Sequence, residues 1–154
     1  MREGLALWNE MHYRLFAPLT GTLLAECEAE AGRAEVGLAT LDAQLAAIEL
    51  TGERWFDAEV HRARGDLLLK QRRPDVAAAE AALMRAIEIA RSQQTRIFEL
   101  RASLSLAKLY QATGRDQAAG ELLISAVAAF DARPEISEVE EVQRLLTRHG
   151  SVAR

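Results

Sequence analysis

The side chains that could do chemistry are few and widely spread. His12, His61 and His149 stand far apart, and none falls in an HExxH or paired Cys/His spacing that would hold a metal. His61 draws the most interest, because Glu59, Arg62 and Asp66 are its sequence neighbours. Its other reading is a structural or solvated histidine at a seam between helices. Cys27 has no local histidine or cationic cluster to depress its thiol, so it reads as a small packing residue within a helix. Glu26 and Glu30 are four residues apart, and Glu138, Glu140 and Glu141 form a run. Hydrolytic acid–base work needs two carboxyls in distinct environments across a cleft, and acids on one helix face are expected to be solvated instead. Trp8 and Trp55 read as packing anchors or as aromatic contacts for a partner. No phosphate-cradling GxxxxGK[ST] loop and no strand-borne carboxylate pattern for a metal is present. The chain is therefore expected to be no enzyme and to carry no catalytic residue, metal or cofactor.

The frame holding these residues is set by composition and period. The 154 residues are 49% apolar with a formal charge of −4, which is one ordinary domain. Mild acidity argues against a nucleic-acid partner. No apolar run approaches the ~18 residues of a membrane span, and no basic-then-apolar leader opens the chain. With a single cysteine, a reducing, cytoplasmic setting is expected.

Apolar residues recur at helical spacing throughout, and no alternating strand pattern competes. Breaks at Ala17-Pro18, Gly32-Arg33, Thr51-Gly52, Arg73-Pro74-Asp75, Gln93-Gln94, Gly114-Arg115 and Arg133-Pro134 cut the chain into short-linked helices. Pro134, with Ser137 and Glu140 as a capping box, is expected to start the last helix. An internal period then sets the architecture. Leu106, Ala107, Tyr110, Gly114, Ala119, Leu123 and Ala126 occupy the small, large and turn-glycine positions of a tetratricopeptide repeat. Ala107 and Ala119 let two helices approach, Leu106, Tyr110 and Leu123 fill the space between them, and Gly114 ends the first helix in a left-handed turn.

Two earlier units repeat the pattern with defects. Leu24, Ala25, Gly32, Gly37 and Leu41 form one, with polar Gln44 at its last small position. Trp55, Gly65, Leu68, Ala79, Leu83 and Ala86 form the other, with a turn lengthened by about two residues and carrying Pro74. The equivalent Ala25, Gly65 and Ala107 are 40 and 42 residues apart. The expected fold is all-α, a tetratricopeptide-like solenoid of antiparallel helix pairs. Residues 1–16 form a half-repeat edge, 17–130 three helix pairs, and 131–154 a capping helix and tail. The apolar edge formed by Leu5, Leu7, Trp8, Met11, Leu15 and Phe16 is expected to fold back, dimerise or dock on a neighbour, because repeat arrays need polar ends.

In such an array the first helix of each pair lines a concave surface. The register of Ala25, Gly65 and Ala107 places Thr22, Glu26 and Glu30 there from the first unit. Glu59, Arg62, Asp66 and Lys70 follow from the second, and Arg101, Leu104, Lys108 and Gln111 from the third. This groove is expected to run from acidic through mixed to basic. Two readings stay open: a peptide of opposite polarity, or an acidic tail meeting Arg62, Arg101 and Lys108, docks there, or Glu59 or Asp66 neutralises Arg62 or Arg101 across adjacent helices.

The ordered stretches Leu23-Leu24-Ala25-Glu26, Ala31-Gly32-Arg33-Ala34-Glu35, Thr51-Gly52-Glu53-Arg54-Trp55, Gly65-Asp66-Leu67-Leu68-Leu69 and Leu106-Ala107-Lys108-Leu109-Tyr110 add a family likeness. From about Leu23 to Leu123 the chain resembles the C-terminal tetratricopeptide region of bacterial multidomain signalling proteins. In these, a nucleotide cyclase or a LuxR-type DNA-binding domain is joined to an AAA/STAND-type ATPase. The resemblance implies a non-catalytic interaction or regulatory module with a protein or peptide partner, detached from its enzymatic domains. A repeat domain that senses a peptide or small effector is the alternative.

Overall fold

The computed structural model describes residues 16–128, 130 and 137–152, and among these the chain forms seven α-helices and no strand. Helix α1 (Ala17–Glu30) pairs with α2 (Ala34–Thr51), α3 (Asp57–Leu69) with α4 (Val76–Ser92), and α5 (Arg96–Ala112) with α6 (Asp116–Val127). A seventh helix, α7 (Ser137–Val152), packs on the last pair. The N-terminal half-repeat, with Trp8, His12 and its expected dimer contact, lies outside the described residues, as do Pro134 and the side chain of His149. No helix among the described residues is long and apolar enough to cross a membrane.

Each helix ends where the local sequence can reverse the chain. Gly32, Gly52 and Gly114 take left-handed φ values of 77°, 73° and 75°, which a Cβ would disfavour. The turn after α4 has no glycine, and Gln94 adopts φ 55° in its place. It is held by the same capping bond as its counterparts. Thr95 N–H donates to Ala90 O at 2.9 Å, as Arg33 does to Glu28 O at 2.9 Å and Arg115 to Tyr110 O at 2.8 Å. In the longer turn at Pro74, the Asp75 carboxylate accepts from Ala78 N–H at 2.9 Å and caps α4. The expected capping box on α7 does not form. Ser137 is the first residue within the helix, its hydroxyl donates to Glu138 at 2.9 Å, and Glu140 faces Arg144.

Small residues let the partners of each pair meet. A Cβ on Gly37 would lie 2.6 Å from Ala25 O, and one on Gly65 would lie 2.6 Å from Leu83 and 3.2 Å from Ala79 O. In the third pair the facing residues are Ala107 and Ala119, both fully buried. The first unit also answers its own irregularity. The polar Gln44 on α2 fits because α1 presents Gly21 to it, where a Cβ would sit 2.6 Å from the Gln44 amide. Apolar burial runs along the array, from Ala25, Leu41 and Ile48 through Leu67 and Leu83 to Leu100, Leu123, Val139 and Val142.

A run of aromatic rings joins the units near the starts of α1, α3 and α5. Phe16 meets Trp55 edge-on at 6.1 Å, Trp55 packs on Phe56 at 4.9 Å, and Phe56 meets Phe98 edge-on at 5.5 Å. Phe16, Phe56 and Phe98 are spaced by 40 and 42 residues, the same intervals as Ala25, Gly65 and Ala107. Trp55 is thus a half-buried packing residue. The helices form two layers: α1, α3, α5 and α7 contact one another in sequence, with α2, α4 and α6 behind them. This is an all-α, repeat-like stack of antiparallel helix pairs.

Candidate functional site: a charged groove on the first helices

The front layer carries a groove of about 330 Å³ whose lining comes from α1, α3, α5, α7 and the residue that opens α3. Its charged residues include Glu26, Glu59, Arg62, Asp66, Arg101 and Lys108, as the register placed them. Its apolar contacts are Leu19, Leu23, Phe56 and Leu104. A second hollow of about 800 Å³ continues from it, sharing Glu26, Asp66, Ser105 and Lys108 and adding Glu30, Lys70, Leu69, Val76 and Leu109. Gln111 is half-buried and lines neither part. Thr22 is buried, with its hydroxyl donating to Pro18 O at 2.8 Å.

The charges form a ladder across the helix seams. Arg62 is its centre, with Nη2 on Glu26 at 2.7 Å, Nε on Glu59 at 3.1 Å and Nη1 on Asp66 at 2.7 Å. Arg101 carries the chain of contacts forward, reaching back to Glu59 at 3.0 Å and on to Glu138 at 3.0 Å. Ser105 donates to Asp66 at 3.2 Å. Lys70 pairs with Glu30, and Lys108 with Glu141 at 2.9 Å. Of the two readings the sequence left open, the geometry is that of internal neutralisation. The three cations expected to receive an acidic tail each face carboxylates of their own chain.

Burial sets the protonation behaviour of the ladder. Glu59 is 1% exposed, and burial pushes its carboxyl up against the opposing pull of Arg62 and Arg101. Burial likewise raises Asp66, again against Arg62. Burial would lower Arg62, but Glu59, Asp66 and Glu26 outweigh it and hold the guanidinium more firmly charged than usual. Lys70 holds Glu30 below the usual carboxylate range by hydrogen bond and charge.

Several expectations need correction. Glu26 and Glu30 are not merely a solvated pair, since each binds a cation of the next unit. The acidic run on α7 likewise supplies Glu138 and Glu141 to the groove, a contribution that the sequence reading missed. Its signal was present: Glu138 follows Arg101 by 37 residues, much as Arg62 follows Glu26 by 36. Cys27 is exposed rather than packed. Of the two readings of His61, the geometry is that of a structural histidine: its Nε2 lies 3.5 Å from Asp57 on the same helix, and burial lowers its pKa. Among the described residues, no group of three or more His, Cys, Asp and Glu converges as a metal site would require.

Comparison with family models, with curated proteins and with solved structures finds no match for this chain.

Proposed function

We propose that this chain is a non-catalytic interaction or regulatory module of the tetratricopeptide type, working in the cytoplasm as part of a bacterial signalling protein. The observation that carries this reading is the groove itself. The first helices of the three pairs, together with α7, present charged and apolar side chains to two joined hollows. Small residues at the pair contacts support the repeat type, and the 40- and 42-residue intervals exceed the ~34 residues of the standard repeat because helices and turns here are lengthened. A binding role also suits the chemistry, because the acids that might serve catalysis are engaged with arginines and lysines.

The test compares two faces. Leu23 is 47% exposed within the groove, and Ile124 is 59% exposed on α6 behind it. Wild-type chain, Leu23→Arg and Ile124→Arg, each checked for helix content by circular dichroism, are used to capture partners from bacterial lysate. The expected result is a partner retained by the wild type and Ile124→Arg and lost by Leu23→Arg. Capture that is indifferent to Leu23→Arg, or no specific partner for the wild type, overturns the assignment of this face.

A further inference from the structure

Resting on that reading, we infer that the groove takes a basic segment of a partner protein, bearing Lys or Arg together with a bulky apolar side chain, and rejects acidic ones. Six carboxylates and four cations line the two joined hollows, leaving an excess of two negative charges. Every one of the four cations is already within ion-pair distance of a carboxylate. An incoming acid can reach Lys70 and Lys108, which are 46% and 53% exposed, but it adds negative charge to a lining that already carries an excess of it. An incoming guanidinium or ammonium instead meets carboxylates that retain acceptor capacity. Glu26, Asp66 and Glu141 remain 36%, 29% and 40% exposed at their side chains, so such a group can reach them.

The apolar requirement comes from the floor. Leu19, Leu23 and Leu104 line one hollow, and Leu69, Val76 and Leu109 the other, with the shared Glu26 and Asp66 between them. A chain laid along the groove therefore passes apolar wall, carboxylates and apolar wall in turn. A purely polycationic segment would leave the hydrophobic part of the site wet, and a purely apolar one would strip water from the exposed sides of the carboxylates.

The experiment is selection from a random dodecapeptide library displayed on phage, against the intact chain, with Leu23→Arg as a counter-screen for the groove. Enriched peptides are then titrated against Glu26→Gln/Glu141→Gln, in which both positions keep a hydrogen-bonding side chain but lose charge. The expected outcome is Leu23-dependent peptides with net positive charge and at least one large apolar residue, weakened about tenfold by the double substitution. Leu23-dependent peptides that are acidic or uncharged, or basic ones that bind the double variant as well as the wild type, overturn the charge assignment while leaving the groove as the binding face. Absence of any Leu23-dependent peptide overturns both.

Discussion

Arg62 shows what a single side chain does in this ladder. It is 12% exposed and answers three carboxylates at once, one of them the buried Glu59. Removing it leaves Glu59 with Arg101 alone, and loss of one member of a buried pair typically costs about 3 kcal/mol. Arg62→Ala is therefore expected to lose about that much in urea unfolding at neutral pH. The pH dependence has a definite sign. Burial raises Glu59 and Asp66, so between their unfolded and folded pKa values the folded chain binds more protons than the unfolded one. Their ionisation thus weakens folding as pH rises, and protonation relieves the strain of a missing counter-charge. The deficit of Arg62→Ala should shrink on acidification as Glu59 takes up its proton, and a deficit that grows would contradict this account. At this scale the sequence was partly legible. Glu59, Arg62 and Asp66 fall on the front face by register, but exposure did not follow from residue type. Cys27 and Glu59 exchange the expected roles, one exposed and the other buried, because local helix rotation and the reach of two arginines decide the matter.

The helix pairs were readable because their signals are local: a glycine or proline at a reversal, and small residues 12, 14 and 12 residues apart in Ala25/Gly37, Gly65/Ala79 and Ala107/Ala119. The middle interval absorbs the longer Pro74 turn without moving the contact. Two helical glycines make the point measurable. A methyl on Gly65 collides with Leu83 and the α4 backbone, whereas one on Gly120 in α6 meets nothing within 4 Å. Gly65→Ala is expected to destabilise by about 2 kcal/mol through overpacking. Gly120→Ala should stabilise by about 0.5–1 kcal/mol through helix propensity. Calorimetric melting of the two variants checks both, and shifts of the same sign would refute the assignment of Gly65 to a close helix contact. What the sequence concealed was the part played by α7. Its acids look like a solvated run until the stack brings the fourth front helix beside Arg101 and Lys108.

Across the whole molecule, contacts run mainly between neighbours along the stack, so damage at one end should stay there. Val142 is fully buried where α7 meets Leu100, Leu104 and Leu123. Val142→Asp places a carboxylate in that contact and is expected to release α7. Hydrogen exchange should then show faster amides in α5 to α7 and retained protection in α1 to α4. Equal loss in every helix would mean that the stack behaves as one cooperative block. The ladder has a further consequence, visible at the level of the gene. Glu59 stands six residues before Gly65, as Arg101 stands six before Ala107. Unequal crossing-over that duplicated the second unit would set one Glu59 against another and omit the Arg101 that now joins Glu59 to the next seam. The units share a plan, yet they are not interchangeable. Their order is written in the charges that meet at each seam, and a duplicated second unit would bring Glu59 to face its own copy there.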